Sequence, residues 1–158
     1  MNSSFLCLKN VRKSAVTVPS ISHSGQYNKT MYRNYNPNPK GNNVGDCVIR
    51  ALTLALNVNW QDAYVKLCLH GLELYDMPSA NHVWGSLLQK YGYKKNVLPN
   101  ECPACYSVRS FAEEHPEGEY VLATGSHVIY CKDGTYYDSW DSGDEPIIYY
   151  FKKDEKNE

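Results

Sequence analysis

The residue best placed for covalent chemistry is a cysteine at the start of a predicted helix. Gly45-Asp46-Cys47 precedes a run of apolar residues at helical spacing, with Asp46 able to cap the start: Val48, Ala51, Leu52, Ala55 and Leu56. At the first turn of a helix, the dipole and the free backbone N–H groups favour a thiolate and the oxyanion of an attacked carbonyl. Most free cysteines are small buried apolar side chains, so Cys47 alone leaves both interpretations open.

A histidine and an aspartate later in the chain are the partners that such a thiol needs. His127 follows the small residues 123–126, which leave space around an imidazole. Asp133-Gly134 is typical of a tight hairpin turn, after which the chain returns to Asp138. Counting back from the turn places His127 two positions past the partner of Asp138, so we expect a different register or a bulge to bring them into hydrogen-bond reach. The three residue types are those of a nucleophile, a base and an orienting group.

The elements that must position these residues are helices first and strands last. Apolar spacing, caps and stop signals predict one helix from Cys47 and others over residues 59–69, 79–91 and 107–114. After Gly118 the pattern becomes that of strands, over residues 120–123, 127–131, 135–137 and 147–151. This order predicts an α+β fold with an antiparallel sheet in its C-terminal half.

Length and composition restrict the organisation of the chain. With 158 residues, 42% of them hydrophobic, it can close one ordinary core, so we expect one domain. Residues 1–40 are polar and show no sustained period. The sequence therefore predicts a polar N-terminal arm over residues 1–40, whether propeptide, partner-binding segment or disordered tail, and a domain over residues 41–158.

Charge and hydropathy argue against two classes of partner. The formal net charge is -1 and the basic residues are scattered, which gives no support for binding nucleic acid or an anionic membrane. No apolar run approaches the roughly 18 residues that span a bilayer. The apolar stretch of residues 5–8 is too short for a secretory signal. We therefore expect a reducing cytoplasm and free thiols for the six cysteines.

Taken together, these residues resemble the papain-like cysteine peptidase superfamily. Gly45-Asp46-Cys47 is similar to the Gly-Ser-Cys that opens the central helix of that family, and Asp138-Ser139-Trp140 is similar to its Asn-Ser-Trp. Residues 45–51 are also similar to the Asp-Gly-Asn-Cys-Leu-Phe-Arg-Ala motif of ovarian-tumour-type deubiquitinases. The resemblance spans about residues 41–152.

The resemblance implies a papain-like fold, and it assigns a role to each matching residue of the site. Cys47 matches the nucleophile, His127 the base, Asp138 the orienting residue and Trp140 the tryptophan that shields it. It implies a cysteine peptidase or isopeptidase that acts on a peptide or protein through an acyl-thioester, without a cofactor. An acyltransferase or amidase on the same triad, and a non-catalytic papain-like binding or inhibitor protein, are the alternatives.

The sequence departs from the family at the oxyanion hole. The family carries a glutamine six residues before its cysteine, and here that position is Gly41. We expect Asn43, or Asn42, to donate an amide N–H instead, together with the backbone N–H of Cys47. The spacing from His127 to Asp138 is also shorter than in most relatives, which implies a minimal hairpin.

Other polar residues carry weaker signals. Cys102-Pro103-Ala104-Cys105 has the spacing of half a zinc site, but no second pair follows, so we predict no metal there. Asp141 competes with Asp138 for the orienting role, although it is expected to lie on a solvated acidic rim. His70 is expected at a helix end or on the surface.

Overall fold

The structure is a computed structural model that describes residues 31–98 and 106–154, and within them the fold is mixed α+β. The helices are α1 (Cys47–Ala55), α2 (Trp60–Glu73), α3 (Asn81–Lys90) and α4 (Val108–Glu114). The strands are β1 (Tyr32–Asn34), β2 (Tyr93–Val97), β3 (Glu119–Ala123), β4 (Val128–Lys132), β5 (Thr135–Asp138) and β6 (Tyr149–Lys153). Within these ranges no helix is long and apolar enough to cross a membrane.

The strands form one mixed sheet in the order β1-β5-β4-β3-β6-β2. The four C-terminal strands pair antiparallel, as expected. The sheet also contains two strands that the sequence did not indicate, β2 at one edge and β1 at the other, and β1 runs parallel to β5. The sheet is therefore mixed, because the N-terminal strand β1 adds a parallel edge to the expected antiparallel C-terminal half. Since β1 begins at Tyr32, part of the expected arm of residues 1–40 belongs to the sheet, whereas residues 1–30 lie outside the described residues.

Both faces of the central strands are covered. Val121 and Ala123 of β3 belong to an apolar cluster with α1, α2 and α3, while Tyr120 and Leu122 point to the opposite face and pack with α4. Strands buried on both faces are continuously apolar rather than alternating, which matches the run from Tyr120 to Ala123. This packing fixes α1 against the middle of the sheet, with Cys47 at its first position.

Gly71 lies inside α2, although the sequence suggested that the helix stops before it. A Cβ atom at this position would lie 2.8 Å from the backbone oxygen of Asp76 and 3.2 Å from the backbone nitrogen of Pro78. The glycine therefore permits the chain after α2 to return close to the helix, and the helix continues to Glu73. Its role is close approach rather than termination.

We predict that Gly71→Ala lowers the free energy of unfolding. The overlap of the added methyl with backbone should cost about 1–3 kcal/mol, more than the roughly 1 kcal/mol that alanine adds in helix propensity. Urea denaturation checks this, with Gly125→Ala as the control because a Cβ there meets nothing within 4 Å. A Gly71→Ala protein as stable as wild type would contradict the close approach.

Candidate active site

Cys47 is the first residue of α1 and is partly buried. Asp46 occupies the N-cap position, but its side chain makes no capping hydrogen bond, so the expected side-chain cap is wrong. Its Oδ2 instead accepts a hydrogen bond of 2.9 Å from Nε1 of Trp60. The carboxylate of Asp46 is thus directed away from the backbone N–H groups that open α1.

His127 is held by a short turn between β3 and β4. Its backbone N–H donates to Oγ1 of Thr124 at 3.1 Å, and its carbonyl accepts from the N–H of Thr124 at 2.9 Å. Nε2 of the ring lies 2.5 Å from Oδ2 of Asp138, the last residue of β5. The side chain of Asp138 is 1% exposed. The backbone contacts with Thr124 therefore fix the position of His127, and the contact of Nε2 with Asp138 fixes the orientation of its ring.

The hairpin keeps the register counted from its turn. Lys132 pairs with Thr135 and Cys131 with Tyr136, which leaves His127 two positions past the partner of Asp138. The expected bulge or register change is wrong because neither is needed. The two residues are diagonal neighbours on one face of the hairpin, where Cβ atoms are about 7–8 Å apart and a ring and a carboxylate reach each other.

The thiol of Cys47 lies beside the imidazole of His127, and each group stabilises the charged form of the other. Because Nε2 of the ring is paired with Asp138, Nδ1 is the ring atom left for the sulfur. The backbone N–H groups of Val128 and Val48 also donate toward the sulfur. The structure thus brings together the three residues that the sequence predicted as nucleophile, base and orienting group.

The electrostatics of this group favour a thiolate beside an imidazolium. Burial opposes ionisation of Cys47, but the hydrogen bonds to His127 and Val128 outweigh it and lower the pKa of the thiol below its ordinary value. Burial likewise opposes the charged imidazole, but the hydrogen bonds to Asp138 and Cys47 raise the pKa of His127 to about 9. The pKa of Asp138 is lowered despite its burial, chiefly by the hydrogen bond from His127.

Trp140 lies against the imidazole, as the resemblance implied. Its ring centroid is 5.5 Å from that of His127, with the planes tilted by 35°. The side chain remains 47% exposed. The indole therefore lies next to the ring of His127, and its shielding of the contact with Asp138 stays a prediction.

The expected oxyanion donor lies on the loop that leads into α1. Nδ2 of Asn36 donates to the backbone oxygen of Asn42 at 3.3 Å and to Oδ1 of Asn43 at 3.4 Å. Asn43 is exposed, and its amide oxygen is the atom that faces Asn36. Its own Nδ2 is the group that an oxyanion would require, so the role of Asn43 stays a prediction.

Sequence reasoning missed Arg50, which is almost as buried as Asp138. Nε of Arg50 lies 3.5 Å from Oδ1 of Asp138, and Nη1 lies 3.5 Å from Oδ1 of Asp46. A signal was available, because Arg50 adjoins Ala51 and Leu52 on the apolar side of α1. A charge in such a place is expected to have a buried partner.

Asp141 belongs to a different group of contacts. Its carboxylate accepts from the hydroxyl of Tyr136 and from the backbone N–H of Gly143, and it pairs with Arg109. These bonds lower the pKa of Asp141, the bond from Tyr136 most of all. The competing candidate is therefore engaged on another part of the surface, while Asp138 is the carboxylate that contacts His127.

The remaining cysteines and histidines divide by location. Cys102 and Cys105 lie outside the described residues, so their predicted lack of metal stays a prediction. Within residues 31–98 and 106–154, no three His, Cys, Asp or Glu side chains are grouped to hold a metal ion. His70 lies in the last turn of α2, at a helix end as expected, but it is buried there, with Nε2 bound to Ser86 at 2.8 Å and Nδ1 facing Glu73 at 3.1 Å.

Comparisons with protein-family models, with curated proteins and with solved structures give no match to this chain. The chemistry of the site therefore rests on the geometry of its own residues: Cys47, His127 and Asp138 in mutual contact. The neighbouring imidazole increases the thiolate fraction of Cys47, and the thiolate fraction determines how fast the cysteine reacts with an electrophile.

We predict that iodoacetamide labels Cys47 at a pH below the ordinary thiol pKa of 9.0. The thiolate is the reactive form, so a lowered pKa moves the labelling midpoint to lower pH. His127→Ala should raise the midpoint, because only the backbone N–H groups of Val128 and Val48 then oppose burial, and Asp138→Asn should raise it in part. Mass spectrometry of the labelled peptides measures both.

Cys131 is the internal control for this titration. Burial raises the pKa of that thiol to about 12, so it should remain unlabelled in the folded protein. Identical midpoints for Cys47 in wild type and in His127→Ala would show an ordinary thiol and contradict the polarised pair.

Proposed function

We propose that this chain is a cysteine hydrolase with a papain-like arrangement, acting as a peptidase or isopeptidase on a peptide or protein. One observation carries the proposal: the contact of the Cys47 thiol with His127, whose other ring nitrogen is bound to a buried Asp138. A nucleophile, a base and an orienting carboxylate in this order form the minimal machinery for acyl transfer.

Acylation follows from the protonation state of the pair. The thiolate of Cys47 attacks the carbonyl carbon, and the electron pair of the C=O bond moves to the oxygen. The protonated His127 then gives its Nδ1 proton to the departing amine as the C–N bond breaks, which leaves an acyl-thioester. Asp138 keeps the ring in the required orientation and stabilises its charged form.

Deacylation reverses the proton transfer. The neutral imidazole of His127 takes a proton from water, and the hydroxide attacks the thioester carbonyl. The C–S bond breaks, the carboxylic acid leaves, and Cys47 returns to the thiolate. If an amine takes the place of water, the same residues carry out acyl transfer to that amine.

The start of α1 provides a place for the oxyanion. The backbone N–H of Cys47 opens α1 and has no partner within the helix, so it can donate to a ligand. A developing negative charge there also faces the positive end of the α1 dipole. Asn43 on the preceding loop is the proposed side-chain donor.

The surroundings of the thiol suit an extended polypeptide. Gly45 and Gly125 are exposed, and a Cβ atom at either position would meet nothing within 4 Å. Gly45 lies two residues before Cys47 and Gly125 two residues before His127, so neither adds a side chain that would obstruct a substrate backbone next to these residues. The activity requires a reduced Cys47, which agrees with the expected reducing cytoplasm.

We predict graded losses when each member of the triad is replaced. Cys47→Ala should abolish acylation by an activated acyl ester, and His127→Ala should nearly abolish it, since the thiol loses its proton acceptor. Asp138→Ala should cost about 10²–10⁴-fold, by analogy with serine triads. Asp141→Ala is the matched carboxylate control and should retain the wild-type rate. Mass spectrometry of the acyl-enzyme gives each rate.

Two outcomes of these measurements would contradict the proposal. If His127→Ala and wild type acylate equally at neutral pH, the hydrolase proposal fails, and a papain-like binding or inhibitor protein takes its place. If Asp141→Ala loses activity while Asp138→Ala does not, the assignment of the orienting residue fails.

We predict that Asn43→Ala separates two kinds of electrophile. An acyl ester forms an oxyanion, and losing one donor should slow its reaction by about 10²–10³-fold. Iodoacetamide reacts by direct displacement and forms no oxyanion, so its rate should be unchanged. Asn42→Ala is the parallel variant, because Asn42 is the alternative donor on the same loop: a loss there, with Asn43→Ala unchanged, would assign the oxyanion to Asn42. Equal rates for wild type and Asn43→Ala with the acyl ester would remove Asn43 from the oxyanion hole.

A further inference from the structure

Arg50 lies between two buried carboxylates that belong to different elements. Its Nη1 is 3.5 Å from Oδ1 of Asp46 beside the nucleophile, and its Nε is 3.5 Å from Oδ1 of Asp138 at the end of β5. The three side chains are 6%, 3% and 1% exposed. Charges this deep are not hydrated by bulk water, so each depends on the others for compensation.

The two oxygens of Asp138 have separate partners. Oδ1 accepts from the backbone N–H of Ser139 at 2.7 Å and faces Nε of Arg50, whereas Oδ2 faces Nε2 of His127 at 2.5 Å. The buried hydroxyl of Ser142 lies beside the same carboxylate but without a well-aligned hydrogen bond. Arg50 and Ser139 therefore determine how the carboxylate plane is turned, and Oδ2 is left for the imidazole.

The guanidinium is itself held from the side of the nucleophile. Asp46 pairs with Arg50 through Oδ1 and accepts from Trp60 of α2 through Oδ2. Arg50 also belongs to the rigid middle of α1, where Ala51 and Leu52 are buried against the core. Arg50 thereby fixes the position of Asp138 relative to α1, the helix that carries Cys47.

We propose that Arg50 is a positioning residue, which holds the Asp138 carboxylate toward His127 and so couples the helix of the nucleophile to the strand of the orienting group. The inference rests on the proposed function, because positioning matters only if His127 serves Cys47. Arg50 does not touch the reacting atoms and acts through Asp138. Its planar guanidinium can pair with two carboxylates at once through different N–H groups, which a lysine ammonium does less well.

Few charged groups face this site within the described residues. α1 and its cap contribute Asp46, Cys47 and Arg50, the turn before β4 contributes His127, and β5 contributes Asp138. The indole of Trp60 comes from α2 and is neutral. Replacing Arg50 therefore shifts the titration of Cys47 through Asp46, through Asp138 or directly through the loss of its charge, and Arg50→Lys, which keeps the charge, isolates the direct effect.

The experiment separates these two routes in the full chain. Iodoacetamide labelling of Cys47 against pH is compared in wild type, Arg50→Gln, Arg50→Lys, Asp46→Asn and the double variant Asp46→Asn/Arg50→Gln. Arg109→Gln is the matched control, because it removes a guanidinium that pairs with Asp141 and Asp144 rather than with Asp46 or Asp138. Thermal melting of each variant establishes that the folded protein is the species labelled.

We expect Arg50→Gln to raise the labelling midpoint of Cys47 by about one pH unit or more. The double variant should remain shifted, because Asp138 still lacks its cation, while Arg109→Gln should stay near wild type. Arg50→Lys should lie between wild type and Arg50→Gln. If Arg50→Gln does not fold, the double variant, which loses opposite charges together, and Arg50→Lys decide the question.

Two results would overturn the proposal. A wild-type midpoint in folded variants that lack the guanidinium would show that Arg50 does not act on the triad. A double variant that returns to the wild-type midpoint while Arg50→Gln is shifted would show that Arg50 only neutralises Asp46. Failure of the proposed function is seen separately, as identical midpoints in wild type and His127→Ala.

Discussion

A carboxylate buried behind a histidine is the constraint on which the rest of this structure depends. Asp138 is 1% exposed, and an ionised group so deep costs several kcal/mol unless it is paired and hydrogen-bonded. His127, Arg50 and the N–H of Ser139 provide that compensation from three directions. The end of β5, the start of β4 and the middle of α1 must therefore meet at one place, which is where the reactive thiol lies.

The sheet makes that meeting place rigid. β3 and β4 are covered on both faces, so the strand that follows His127 cannot shift without disturbing two apolar clusters. On the outer side of β5, the edge strand β1 pairs in parallel, and the N–H of Tyr35 donates to the backbone oxygen of Asp138 at 2.7 Å. Groups held by packed elements in this way are oriented before any substrate arrives.

The charged groups near Cys47 favour the thiolate form of its side chain. A carboxylate at the N-cap of α1 would ordinarily oppose a neighbouring thiolate, but Asp46 is compensated by Arg50 and Trp60. The imidazolium of His127 and the backbone N–H groups then act on Cys47 with little opposition apart from burial. Most of this polar chain is thus paired, but Oδ1 of Asp46 has only the 3.5 Å ion pair with Arg50, and the hydroxyl of Ser142 has no hydrogen bond.

The sequence by itself determined the local features: a cysteine opening an apolar helix, a hairpin register counted from Asp133-Gly134, and an α+β order of elements. These follow from period, caps and turn residues, which act over a few positions. Only the tertiary structure decided that β1 joins the sheet, that Asp46 turns from its helix to Trp60, and that Arg50 bridges two carboxylates. Such choices depend on contacts between residues far apart in the chain, where burial and charge compensation override local preference.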